Sequence, residues 1–231
     1  MGVDCAAVGI SRRPERELAV QPLDLISLHV PKAFGTSLGE VLAEHYGQRC
    51  VLRDYDTSLE ADTGERCLSR PDLQPETVAI HGHFPAIRYA DMPARRRITF
   101  LRDPVRRTIS HFFFWQTEPR HGNALHDRLL DERLGLLEFA KLPAIRRFYS
   151  GTVFGGCDMR SFDLVGIVED LERDWPRFQR LTGIHAQLPH LNRNRYPGYA
   201  EIADRVMSDQ ALPRELHRIL AEDIEFYARY L

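Results

Sequence analysis

The chain has 231 residues, 43% hydrophobic and 28% charged, which suits one globular domain with its own core and argues against disorder. A formal charge of −2 excludes a protein that coats nucleic acid through overall basicity, so any anion site has to be local. No apolar run approaches the roughly 20 residues of a membrane helix. Arg12, Arg13, Glu15, Arg16 and Glu17 interrupt any signal-peptide order, so the expected location is cytoplasmic.

In chain order, residues 1–20 read as a loose leader and 21–231 as a single domain. The run from Leu23 to Val30 is short, apolar and partly alternating, which predicts a buried strand. Pro31 to Thr36 is a turn, and Leu38, Val41, Leu42 and His45/Tyr46 follow at helical spacing. Residues 53–76, rich in Asp, Thr, Ser, Gly and Pro, read as a long loop. Thr77–His81 and Ile98–Leu101 are the next strands, with Arg95–Arg97 a solvated turn before the latter. Asp103-Pro104 opens a helix to about Gln116, Asp as N-cap and Pro at the first helical position.

Residues 117–133 are polar and broken. A helical stretch from Leu134 to Tyr149 is interrupted at Pro143, Phe162–Val168 is a strand, and Glu169–Leu181 is a helix. Pro189–Tyr199 is a loop, and the tail from about Pro213 carries Leu216, Ile219, Leu220, Ile224, Tyr227 and Tyr230 on one helical stripe. Strands alternating with helices predict an α/β domain with a parallel sheet. Cys5, Cys50, Cys67 and Cys157 are widely spaced with no CxxC pair, so they read as buried free thiols, and no metal site is expected.

Two motifs carry chemistry. In His29-Val30-Pro31-Lys32-Ala33-Phe34-Gly35-Thr36-Ser37, a strand feeds a tight loop and a helix N-terminus, where backbone N–H groups and the helix dipole favour an anion. Lys32 adds a mobile charge, and Thr36 and Ser37 add hydroxyls. The Walker order is absent, because Lys precedes Gly. Of 31 basic residues other than histidine only Lys32 and Lys141 are lysine, so an ammonium in this loop calls for a local reason. In the second motif, Leu101-Arg102-Asp103-Pro104-Val105-Arg106-Arg107-Thr108-Ile109-Ser110, capping explains Asp103-Pro104 but not Arg102 and Ser110. Those two suit a phosphate, bidentate plus hydroxyl. Arg106 and Arg107 read as surface or salt-bridge residues, Arg106 the better ligand candidate. Phe112–Trp115 read mainly as helix core.

Together these motifs, strand–PKxxGTS–helix and then strand–LRDPxxRxxS–helix, resemble the sulfotransferases that use 3′-phosphoadenosine-5′-phosphosulfate. His81-Gly82-His83, between them, is similar to the uronyl 2-O-sulfotransferase group acting on heparan and dermatan sulfate; Val165–Glu169 and Leu188–Asn192 resemble that group more weakly. The resemblance spans roughly residues 23–231 and looks like a compact bacterial-type relative. It implies a P-loop-like three-layer α/β fold with a central, mainly parallel sheet flanked by helices, and the phosphosulfate donor without a metal. Lys32, Ala33, Phe34, Gly35, Thr36 and Ser37 would then hold the 5′-phosphosulfate end and Arg102 with Ser110 the 3′-phosphate, while Asn192 and Arg193 either close over the nucleotide or form a surface loop. Lys32 would act on the leaving oxygen, and His83 or else His81 as base. Phe34 departs from the family pattern, which has a small residue there; a bulky side chain either narrows the loop or faces the acceptor.

The expected partner is a hydroxyl-bearing acceptor, carbohydrate favoured. A natural-product or lipid-linked hydroxyl, a P-loop phosphotransferase and a non-catalytic nucleotide- or glycan-binding protein are the alternatives.

Overall fold

The computed structural model describes residues 22–55, 68–188 and 196–231. Its elements are β1 (Leu23–Leu28), α1 (Gly35–Tyr46), β2 (Val51–Tyr55), β3 (Ala79–His83), β4 (Ala94–Leu101), α2 (Pro104–Trp115), α3 (Ala124–Asp131), α4 (Leu136–Lys141) and α5 (Pro143–Arg146). A π-helical turn (Phe148–Val153) is followed by β5 (Leu164–Ile167), α6 (Leu171–Thr182), α7 (Tyr199–Ser208), α8 (Ala211–Ile219) and α9 (Ala221–Ala228). The strands form one sheet in the order β2-β3-β1-β4-β5, and every pairing is parallel.

Alternation along each strand sorts the core into two layers. Leu25, Ala79, Ile98, Phe100 and Leu164 face Leu38, Val41 and Leu42 of α1 and Trp175 and Phe178 of α6. On the opposite face Ile26, Leu28, Ile80, Leu101 and Ile167 meet Phe112 and Trp115 of α2, Phe139 of α4 and Ile145 of α5. The result is the expected α/β fold, a parallel sheet between two helical layers.

Order matters for the site. From central β1 the chain moves outward to β2, returns to β3, then crosses β1 to reach β4 on the other side. Such a reversal opens a crevice beyond the carboxyl ends of the strands, where the loop after β1, His83 at the end of β3 and Arg102 just past β4 all lie.

Several expectations are corrected. The loop expected from residue 53 instead begins with β2, because Val51–Tyr55 complete a ladder with Ala79–His83; residues 56–67 lie outside the described segments. Arg95–Arg97 are not a turn but part of β4. Arg96 pairs with Asp24 at 2.7 Å, and Arg97 donates to the carbonyls of Tyr89, at 2.9 Å, and Met92. Within 117–133, Asn123 caps α3 by accepting from the His126 N–H at 3.0 Å. The C-terminal stripe is split at Leu220 into α8 and α9, and α7 was not anticipated. Asp103 does cap α2, accepting from the Arg106 N–H at 2.8 Å, with Pro104 in the first turn. Cys50 and Cys157 are free, half-buried thiols; Cys5 and Cys67 lie outside the described residues. Among those residues no helix is long and apolar enough to cross a membrane.

Candidate active site

β1 ends at Leu28 and the chain turns through Pro31–Phe34 into α1. Lys32 and Phe34 adopt left-handed backbone conformations, with φ of 66° and 71°. For side-chain-bearing residues this is strained, and turns of this kind gather backbone N–H groups into an anion-binding concavity. The ladder of α1 starts with Leu38 N–H donating to the Phe34 carbonyl at 3.2 Å, so the N–H groups of Gly35 and Thr36 precede it. No side chain caps this N-terminus among the described residues.

The Phe34 ring leaves the loop altogether. It packs edge-on against Phe100 and Trp175, at 5.3 and 5.8 Å between centroids, and so neither narrows the loop nor faces an acceptor. Lys32 Nζ sits 3.6 Å above the Phe114 ring centroid, a cation–π contact that holds the ammonium on the α2 side of the crevice.

Beneath the loop lies a group of imidazoles. His29 stacks on His81 at 5.3 Å and meets His83 edge-on at 4.3 Å. The helix rests directly on them: a Cβ on Gly35 would come within 1.7 Å of the His29 ring, and one on Gly39 within 3.0 Å of His81. Glycines four apart on a helix share a face, and here that face is flush with the two rings. Tyr55, 40% exposed at the end of β2, places its ring 4.8 Å from that of His83.

The two histidines of the His-Gly-His motif differ. His81 is fully buried, and both its ring nitrogens are engaged. Nε2–H donates to the Gly35 carbonyl at 3.0 Å, which leaves Nδ1 to accept from the Ser27 hydroxyl at 3.0 Å. Burial above all lowers its pKa to about 4. His83 Nε2 and His29 Nδ1, in contrast, are buried without a hydrogen-bond partner among the described residues. Burial, then the neighbouring His81 and Lys32, brings the His83 pKa to about 3; burial likewise holds His29 well below 6.5. All three imidazoles are therefore neutral at physiological pH. Gly82 is fixed by its neighbour strand, since a Cβ there would lie 1.7 Å from the Asp54 carbonyl oxygen.

Arg102 enters from β4. Its Nη1 donates to the Lys32 carbonyl at 3.2 Å, joining the two motif loops, and its Nε lies 3.9 Å from Glu169. Ser110 is buried on α2 at 3% exposure. Beside the first turns of α1 a cavity of about 680 Å³ is lined by Thr36, Ser37, Glu40, Glu44, Ile184 and Gln187.

No family model matches this sequence, and no curated protein matches it. Among solved structures, mouse sulfotransferase SULT7A1 complexed with PAP is similar, with a TM-score of 0.34 and 13% identity over 79% of this chain. This chain spans 63% of the length of that one. A likeness of this size assigns no family and locates no residue.

The structure thus brings Lys32, Ala33, Phe34, Gly35, Thr36, Ser37, His83 and Arg102 to one end of the sheet, with His81 beneath them as a bracing residue. Asn192 and Arg193 lie outside the described residues. The surface placement expected of the two α2 arginines is corrected for one of them: Arg106 is exposed, whereas Arg107 is fully buried, its guanidinium 3.9 Å from the Phe148 ring centroid and hydrogen-bonded to Thr108 and His111 at 3.2 and 3.3 Å. Sequence reasoning missed His29 and Tyr55. His29 had a signal: it shares strand parity with Leu25 and Ser27, on the face covered by α1.

Proposed function

We propose that this chain is a sulfotransferase that transfers a sulfuryl group from 3′-phosphoadenosine-5′-phosphosulfate to an acceptor hydroxyl, with carbohydrate as the acceptor class. The observation that carries the reading is the anion-suited loop bearing Lys32, set against His83, whose buried Nε2 lacks a partner among the described residues.

These features fit the donor. The N–H groups opening α1, the Lys32 ammonium and the Thr36 and Ser37 hydroxyls would hold its 5′-phosphosulfate end. Arg102, with Ser110, would hold its 3′-phosphate, and the cavity beside Thr36 and Ser37 has room for part of a nucleotide. When bound, the donor supplies a sulfuryl group whose bond to the phosphate oxygen breaks as a bond to the acceptor oxygen forms.

Lys32 presents positive charge where the departing oxygen becomes negative. His83 is neutral, and in the tautomer protonated on Nδ1 its Nε2 accepts the acceptor's proton. Its pKa is depressed by burial and by nearby Lys32; negative charge brought into the site shifts it upward, toward the range useful to a base. His81, with both nitrogens engaged, positions the loop. The exposed Tyr55 ring beside His83 offers an amphipathic platform, which supports a carbohydrate acceptor.

Titration calorimetry of 3′-phosphoadenosine-5′-phosphate against AMP and ATP, with Arg102→Ala as control, tests the donor. Binding that requires both the 3′-phosphate and Arg102 is expected. Equal affinity for all three nucleotides refutes the assignment and restores the phosphotransferase and binding-protein alternatives.

A further inference from the structure

Where a strand ends, its backbone loses its ladder partners and normally turns to water or to capping side chains. Just beyond β4 this happens at Arg102 and Asp103, and both are held by buried or half-buried groups. The Tyr149 hydroxyl accepts from the Arg102 N–H at 3.1 Å and donates to the Arg102 carbonyl at 2.7 Å. One side-chain oxygen therefore satisfies both backbone groups of one residue. The Asp103 N–H donates to the Glu169 carboxylate at 3.1 and 3.2 Å, and Glu169 in turn accepts from the Tyr227 hydroxyl at 3.0 Å.

Tyr149 is itself fixed from behind. It is fully buried in the π-helical turn, whose Tyr149 and Ser150 N–H groups both donate to Asp223 of α9 at 2.9 Å. Burial raises the pKa of its hydroxyl, so the proton it donates to Arg102 is retained at every physiological pH. The chain of contacts runs from Asp223 through the π-helical turn to the Tyr149 hydroxyl, the Arg102 backbone and, through the guanidinium, the Lys32 carbonyl.

We propose that Tyr149 is a positioning residue for nucleotide recognition: by clamping the Arg102 backbone it sets the direction of the guanidinium toward the loop and the 3′-phosphate. This rests on the sulfotransferase reading for its ligand, but not for the clamp. With the clamp in place, Arg102 enters binding with its backbone already ordered, so the guanidinium is aimed without a further ordering cost.

Tyr149→Phe keeps the ring and removes only the hydroxyl. The variant should bind 3′-phosphoadenosine-5′-phosphate about tenfold more weakly, the scale expected when buried hydrogen-bonding groups lose a partner, while AMP affinity stays within about twofold. Hydrogen exchange at the Arg102 and Asp103 amides should accelerate in the nucleotide-free protein. Asp223→Asn, which weakens the support of the π-helical turn, should shift the same ratio in the same direction by a smaller factor, and it carries the test should Tyr149→Phe fail to fold. Equal weakening for both nucleotides, or unchanged binding and exchange, overturns the proposal. A wild-type protein that does not prefer the 3′-phosphorylated nucleotide refutes the sulfotransferase reading itself and removes the proposal's ligand, a result distinct from a failure of Tyr149 alone.

Discussion

Moving the apo protein from about pH 7.5 to about pH 5 loads protons onto the imidazoles of the unfolded chain, near 6.5, while those beneath the loop stay neutral. Between pH 6.5 and the depressed folded values the unfolded state binds more protons, so stability falls as the pH drops. For His81, whose folded pKa is about 4, linkage gives a loss of about 2 kcal/mol at pH 5. His83, at about 3, adds a similar amount, a large share of the roughly 5–15 kcal/mol of an ordinary domain. Urea unfolding at both pH values, for the wild type and His81→Gln, isolates one contribution. Gln offers a donor and an acceptor to Gly35 and Ser27 but does not titrate, so the pH-dependent loss should shrink by about 2 kcal/mol whatever the variant's stability at pH 7.5. An identical loss in both proteins would refute the argument that burial of His81 sets its protonation.

Gly35→Ala forces a Cβ into the His29 ring and should cost about 3 kcal/mol, read as a lower denaturation midpoint; an unchanged midpoint would mean that the rings do not support the loop as described. Arg107→Ala empties a fully buried site and should cost about 3 kcal/mol or more, whereas Arg106→Ala at the surface should stay within about 0.5 kcal/mol; chemical denaturation of the pair checks that only Arg107 belongs to the packed interior. His83→Gln should lower kcat at least about 100-fold and leave nucleotide affinity intact by calorimetry, and a wild-type rate would move the base elsewhere.

Much of this architecture is legible in the residues. The apolar run at Leu23–Leu28 and the Asp103-Pro104 start of α2 follow from alternation and capping, which act locally. β2 escaped because Val51–Tyr55 is a half-buried edge strand ordered by its ladder with β3 and by Arg88 and Tyr89, which donate to Asp54 at 2.9 and 2.8 Å. Arg95–Arg97 look like a turn until Asp24 and the Tyr89 and Met92 carbonyls are placed beside them, and those partners are distant or out of register in the sequence. Lys32, Arg102 and His83 stand out in the motifs by residue type. What the sequence could not supply was the different surroundings of His81 and His83, because they depend on Ser27 and on the Gly35 carbonyl, contacts made only when three elements meet. Tyr149 is invisible for the same reason: nothing in its neighbourhood points to a residue 47 positions earlier.

Phe34 has a thermodynamic consequence. With its ring lodged between Phe100 and Trp175, the loop that bears Lys32 is tied to the sheet core, and its left-handed turns are stabilised by aromatic burial rather than by whatever the loop binds. The entropy of ordering that segment is then lost once, during folding, and does not recur at each encounter with a ligand. Association at the loop should show the modest heat-capacity change of rigid docking rather than the large negative one of coupled folding. A residue that departs from the expected small side chain thereby keeps the turn's geometry in the empty protein.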